Sequence, residues 1–118
     1  MRAARYVRTV RLSALAILLT AGVAQSQAGA MDKPPAHHHT VVMKSIQFQP
    51  AELTVDSGDT VEWENQDIVP HTVTSEDGSF RSGNIAPGKK WSYVTKAAGR
   101  FSYHCTPHPN MHGVLVVR

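Results

Sequence analysis

The chain has 118 residues with 12 Lys+Arg, 9 Asp+Glu, 7 His and a single Cys, which fits one domain and leaves no room for a separate catalytic partner domain. Its formal net charge of +3 is unevenly distributed: Arg2, Arg5, Arg8 and Arg11 precede Leu12, while every acid lies at Asp32 or later. From Met31 onward 8 Lys+Arg face 9 acids, a formal charge of −1. Lys89-Lys90 is then the longest basic run, which argues against a nucleic-acid binder.

Taken in chain order, the four arginines, the apolar run Leu12 to Ala24 and the small residues Ala28-Gly29-Ala30 predict a secretory signal peptide over residues 1–30, cleaved before Met31. The run is too short to span a bilayer, and nothing later replaces it. The reading is a soluble protein exported to the periplasm. The leader has no adjacent Arg pair, which favours export before folding, with any metal acquired outside. Residues 31–39, with Pro34, Pro35 and His37-His38-His39, read as a flexible lead-in. The triplet is a copper-collecting tail, a solvated linker or a residual strand edge.

Residues 40–118 read as one all-β domain. Short alternating or β-branched runs separated by Gly, Pro, Asn and Asp predict strands at Val41 to Phe48, Glu52 to Val55, Thr60 to Glu64, His71 to Ser75, Lys90 to Lys96, Arg100 to Cys105 and Gly113 to Val117. The first run loses its alternation near Lys44-Ser45-Ile46, the mark of a bulge. Glu76 to Lys90 reads as a long loop between sheets. Alternation puts Val61 with Trp63 on one face, and Phe101 and Tyr103 with Cys105 on another; His71 shares the parity of Val73. The predicted architecture is a two-sheet antiparallel Greek-key β-sandwich, with His71 and Cys105 pointing into one end of its core.

An unpaired thiol in an oxidising compartment needs a reason. Cys105-Thr106-Pro107-His108-Pro109-Asn110-Met111, with Pro70-His71 upstream, offers a thiolate, two imidazoles and a thioether. Singly, each residue reads as well as core filler or surface. Jointly, two His, one Cys and a weak axial Met suit copper cycling between Cu(I) and Cu(II), whereas zinc gains little from Met. The spacing Cys-x-x-His-x-x-Met lets one loop turn three side chains towards a point, and Pro107 and Pro109 stiffen that loop. His104 and His112 read as surface residues.

These residues resemble the cupredoxins, the small blue copper proteins, and the short ligand loop resembles that of the amicyanins rather than the longer loops of plastocyanin or azurin. The likeness extends through Phe48-Gln49-Pro50-Ala51, Gly58-Asp59-Thr60-Val61, Trp63, Asn65, Gly83, Pro87-Gly88 and Gly113. It implies one copper held by His71, Cys105, His108 and Met111, with Asn65 tying the loop of His71 to the loop of Cys105. Four protein ligands leave no open position for a substrate, which argues against an enzyme. The expected function is a monomeric one-electron carrier whose redox donor and acceptor dock near His108, over a patch drawn from Ile68, Val69, Pro70 and Pro87. The competing expectation is a periplasmic copper-binding or delivery protein.

Overall fold

The computed structural model describes residues 34–118 and, before them, Gly22 alone; the expected signal peptide over 1–30 otherwise lies outside the described residues. Eight strands follow in order: β1 (His38–Lys44), β2 (Gln47–Gln49), β3 (Glu52–Val55), β4 (Thr60–Asn65), β5 (Thr74–Ser75), β6 (Lys90–Val94), β7 (Gly99–His104) and β8 (His112–Val117). They form two four-stranded sheets, ordered β2-β1-β4-β6 and β3-β8-β7-β5. The all-β, two-sheet architecture expected from the alternation is present, but pairing within each sheet is mixed. β1 runs parallel to β4, and β3 parallel to β8. The chain leaves the β1–β2 hairpin for the second sheet and comes back as β4, so that it re-enters beside β1 in the same direction.

Two local expectations are corrected. The single strand expected over Val41 to Phe48 is a hairpin: Lys44 pairs with Gln47, and Ser45 and Ile46 between them both have φ of 55°. This is a two-residue turn with both residues left-handed, the form whose twist suits a hairpin, and not a bulge. Strand β1 also begins at His38, inside the tract expected to be flexible. His38 and His39 pair with Thr60 and Val61, so the first sheet already begins at His38.

Alternation assigned the inner faces well. Val61, Trp63, Tyr103 and Cys105 are buried and Phe101 is partly so; Leu115 and Val117 of β8 are buried with them. Trp63 and Tyr103 meet edge to face at 5.6 Å, and Phe48 meets Tyr103 in the same manner at 4.7 Å, geometries that aromatic quadrupoles favour. Opposite Tyr103 stands Gly113. A Cβ there would overlap the phenol ring, so glycine is required by close approach. The predicted strand over His71 to Ser75 shortens to Thr74–Ser75, while His71 makes an isolated bridge to Ile85.

Candidate metal centre

One end of the sandwich gathers the ends of β4 and β7 and the start of β8. Alternation along β7 turns Tyr103 inward, and Cys105 follows with the same parity one residue past the strand, fully buried. The chain then folds back on itself: His108 N–H donates to the Cys105 carbonyl (3.2 Å), Met111 N–H to His108 (2.8 Å), and Cys105 N–H to Met111 (3.1 Å). Three backbone bonds thus pin the three residues whose spacing first suggested a site. Pro107 and Pro109 carry no N–H, so the loop has two fewer backbone donors to satisfy.

His71 arrives from a different segment. Its N–H donates to the Ile85 carbonyl (3.1 Å) and its carbonyl accepts from Ile85 (2.7 Å), which holds the fully buried ring beside Cys105. Nδ1 of His71 lies 3.6 Å from Cys105 Sγ, and Nδ1 of His108 lies 3.5 Å from the same sulfur. The two rings are 5.0 Å apart by centroid. A first-row metal bound about 2.3 Å from sulfur and about 2.0 Å from nitrogen sets those atoms about 3.6–3.8 Å apart. The donors therefore fit one metal ion, and a thiolate with two imidazoles is soft enough for copper. Met111 is buried at the same place, 2% exposed, on the wall of an open hollow shared with Ile46, Pro107, His108 and Pro109.

A residue that sequence reasoning missed orients the first imidazole. Asp67 Oδ2 sits 2.6 Å from Nε2 of His71. A carboxylate only accepts, so the ring proton is on Nε2 and the Nδ1 lone pair faces the sulfur. The same carboxylate accepts from the amides of Ser45 (2.7 Å) and Ile46 (2.9 Å) at the β1–β2 turn. Burial opposes the charge of Asp67, but the Ile46 amide, the His71 imidazole and the Ser45 amide outweigh it and hold its pKa below the ordinary carboxylate value. The available signal was an acid four residues before the histidine.

The role expected of Asn65 is also corrected. Its Nδ2 donates to the carbonyls of Val69 (2.8 Å) and Ile85 (2.9 Å), and its Oδ1 accepts from Asp67 N–H (2.9 Å). These bonds shape the loop that carries His71 but do not reach the Cys105 loop. Thr72 makes that connection: its N–H donates to Cys105 Sγ (3.3 Å), and its hydroxyl accepts from Thr106 N–H (2.7 Å) and meets the Thr106 hydroxyl (2.9 Å). Two adjacent residues, one a ligand candidate and one a tether, outdo a distant amide because the β5 approach already lies against the loop. His104 is not at the centre; its Nδ1 contacts Glu76 (2.8 Å). His112 is exposed.

Comparison with known proteins gives the same picture. A family model described as a cupredoxin-like domain matches residues 12–117. Amicyanin of Paracoccus versutus is 31% identical over 88 residues, spanning 70% of this chain and 67% of the relative. Amicyanin-alpha of Methylorubrum extorquens is 30% identical over 103 residues, spanning 83% and 87%. A solved Cu(I) structure of an amicyanin variant superposes with a TM-score of 0.64 at 30% identity, covering 69% of this chain and 82% of the other. With an all-strand sandwich, a thiol and two imidazoles at its end, and a match over nearly its whole length, the chain belongs to the cupredoxin-like domain family.

Proposed function

We propose that the protein is a blue copper protein that holds one Cu(I)/Cu(II) ion through His71 Nδ1, Cys105 Sγ, His108 Nδ1 and Met111, and works as a soluble one-electron carrier between redox proteins. The observation that carries this is the pair of Nδ1 atoms 3.6 and 3.5 Å from one buried sulfur on a loop closed by its own backbone. Copper, when bound, supplies the one-electron couple. The chain supplies the rest. Asp67 fixes the tautomer of His71, Thr72 N–H donates to the sulfur, and the pinned loop keeps the donors in place whichever oxidation state is held. Four protein donors leave no position for a substrate, in keeping with a carrier and not an enzyme. The amicyanin relatives support the same reading.

Electron exchange belongs at His108, the half-buried imidazole of the pair, flanked by exposed Pro107 and Pro109. Ile68, 94% exposed, stands three residues before buried His71. Apolar surface without fixed charge suits the small, brief contacts of redox partners. Export through the leader at residues 1–30, a periplasmic location and a monomeric state complete the proposal. Adding Cu(II) to the purified protein should give an intense blue colour at one copper per chain, and Cys105→Ala should abolish it. Stoichiometric copper with only the pale absorption of an ordinary tetragonal site would reject the assignment.

A further inference from the structure

A second group of donors lies at the other end of β4. That strand runs from Thr60 to Asn65, so its start is roughly 17 Å from the end that shapes the loop of His71. At that start, ligand atoms of His37, Asp56 and Asp59 lie within 4.8 Å of one another. His39 backs them, its Nε2–H donating to Asp59 Oδ2 (2.9 Å). From this geometry we infer a second metal site, built of His37, Asp56 and Asp59 with His39 orienting the Asp59 carboxylate, that takes a borderline divalent cation such as zinc or Cu(II).

The group is held in place by the backbone. Thr60 N–H donates to the His37 carbonyl (2.9 Å), and Asp59 N–H to Asp56 (3.0 Å) across the turn at Ser57-Gly58. Asp59 is buried and accepts from the amides of His37 (2.9 Å) and Asp56 (3.0 Å) as well as from His39. A carboxylate has about four lone-pair sites, so one remains. Among the described residues, the His37 imidazole and the Asp56 carboxylate, by contrast, make no hydrogen bond within the strand clasp. Nδ1 of His37 stands 3.8 Å from Asp59 Oδ1, beyond hydrogen-bonding range. Asp56 pairs outward with Arg118 at 3.2 Å. A strand clasp needs only Asp59 and His39, and the other two donors are surplus to it.

Donors sharing one ion at about 2.1 Å lie about 3–4 Å apart. The 4.8 Å span closes by side-chain rotation alone, because the side chains of His37 and Asp56 are 62% and 56% exposed. Imidazole with carboxylate selects zinc or Cu(II) over calcium and magnesium, which prefer oxygen alone. Arg118, paired with Asp56 at 3.2 Å, opposes binding, and an incoming ion displaces it.

The site does not depend on the proposed function of the first centre. Zn(II) is titrated into the protein while the histidine ring resonances are followed by NMR. One event should move the His37 and His39 rings at one zinc per chain, apart from any event at His71 and His108. Asp59 also holds the strand, so the variants avoid it. His37→Ala and Asp56→Asn should each weaken the His37/His39 event at least tenfold, whereas Arg118→Gln should strengthen it. His38→Ala should leave it unchanged, because that ring faces Glu62 at 3.9 Å. Rings of His37 and His39 that stay unmoved at saturating zinc, or the same affinity in all these variants, would overturn the site.

Discussion

At the residue scale the most consequential side chain is Asp67, because one carboxylate serves a ring and a turn at once. It accepts from His71 at 2.6 Å and from two turn amides at 2.7 and 2.9 Å. Charged acceptors hold hydrogen bonds about twice as strong as neutral ones. Asp67→Ala should therefore lower stability by about 2 kcal/mol and weaken copper retention about 10–100-fold, as losses beside metal ligands do. Denaturant unfolding of the metal-free protein and copper loss to a chelator separate the two effects. A stability loss with unaltered copper loss would reduce Asp67 to a staple for the hairpin.

At the scale of elements, the β1–β2 turn places a serine and a β-branched residue at φ of 55°, where L side chains crowd the following carbonyl at about 1–2 kcal/mol per residue. Asn and Gly accept that conformation without strain. Replacing Ser45 and Ile46 by Asn and Gly should raise stability by about 1–2 kcal/mol, read as a higher denaturant midpoint with unchanged slope. Ile46 also lines the hollow beside His108 and Met111, so a turn left strained there is consistent with a side chain kept for its apolar surface. The β7–β8 pair shows the opposite constraint. A Cβ on Gly113 overlaps the ring of Tyr103, which is 1% exposed and has nowhere to move. Gly113→Ala should cost about 1–3 kcal/mol, visible as a drop in melting temperature; an unchanged melting temperature would mean that the two strands separate easily.

For the whole molecule, the two sheets share one aromatic core, and its burial sets an alkaline limit. Burial pushes the hydroxyl of Tyr103 up to about 12, against about 10 in the unfolded chain. Above pH 10 the unfolded state releases this proton while the folded state retains it. The contribution is thus fully present below about pH 10 and is lost, at about 1.4 kcal/mol per pH unit, up to about pH 12. Tyr103→Phe should flatten this part of the curve, the difference between the two proteins isolating it from other titrations. Parallel curves from pH 9 to 12 would show that the phenol is reached by solvent.

Much of this was legible from local pattern. Alternation identified the inner faces of β4 and β7, because a strand's side-chain period is fixed by its backbone. The run from Cys105 to Met111 exposed three donors, because a seven-residue loop can bring them together without help from elsewhere. The sequence also marked His71 through its parity with Val73. What it could not supply were contacts between distant segments. The turn amides of Ser45 and Ile46 are accepted by Asp67, 22 and 21 residues further on. That Thr72 and not Asn65 tethers the Cys105 loop depended on how closely two segments 34 residues apart approach. His38 and His39 joined the sheet because Thr60 and Val61 lay open beside them, which no composition of a His- and Pro-containing tract reveals. Ligand type and strand face are properties of short windows, and the sequence determined them alone; partners of hydrogen bonds, sheet order and the parallel pairs follow from packing two sheets over one core, and only the tertiary structure decided them.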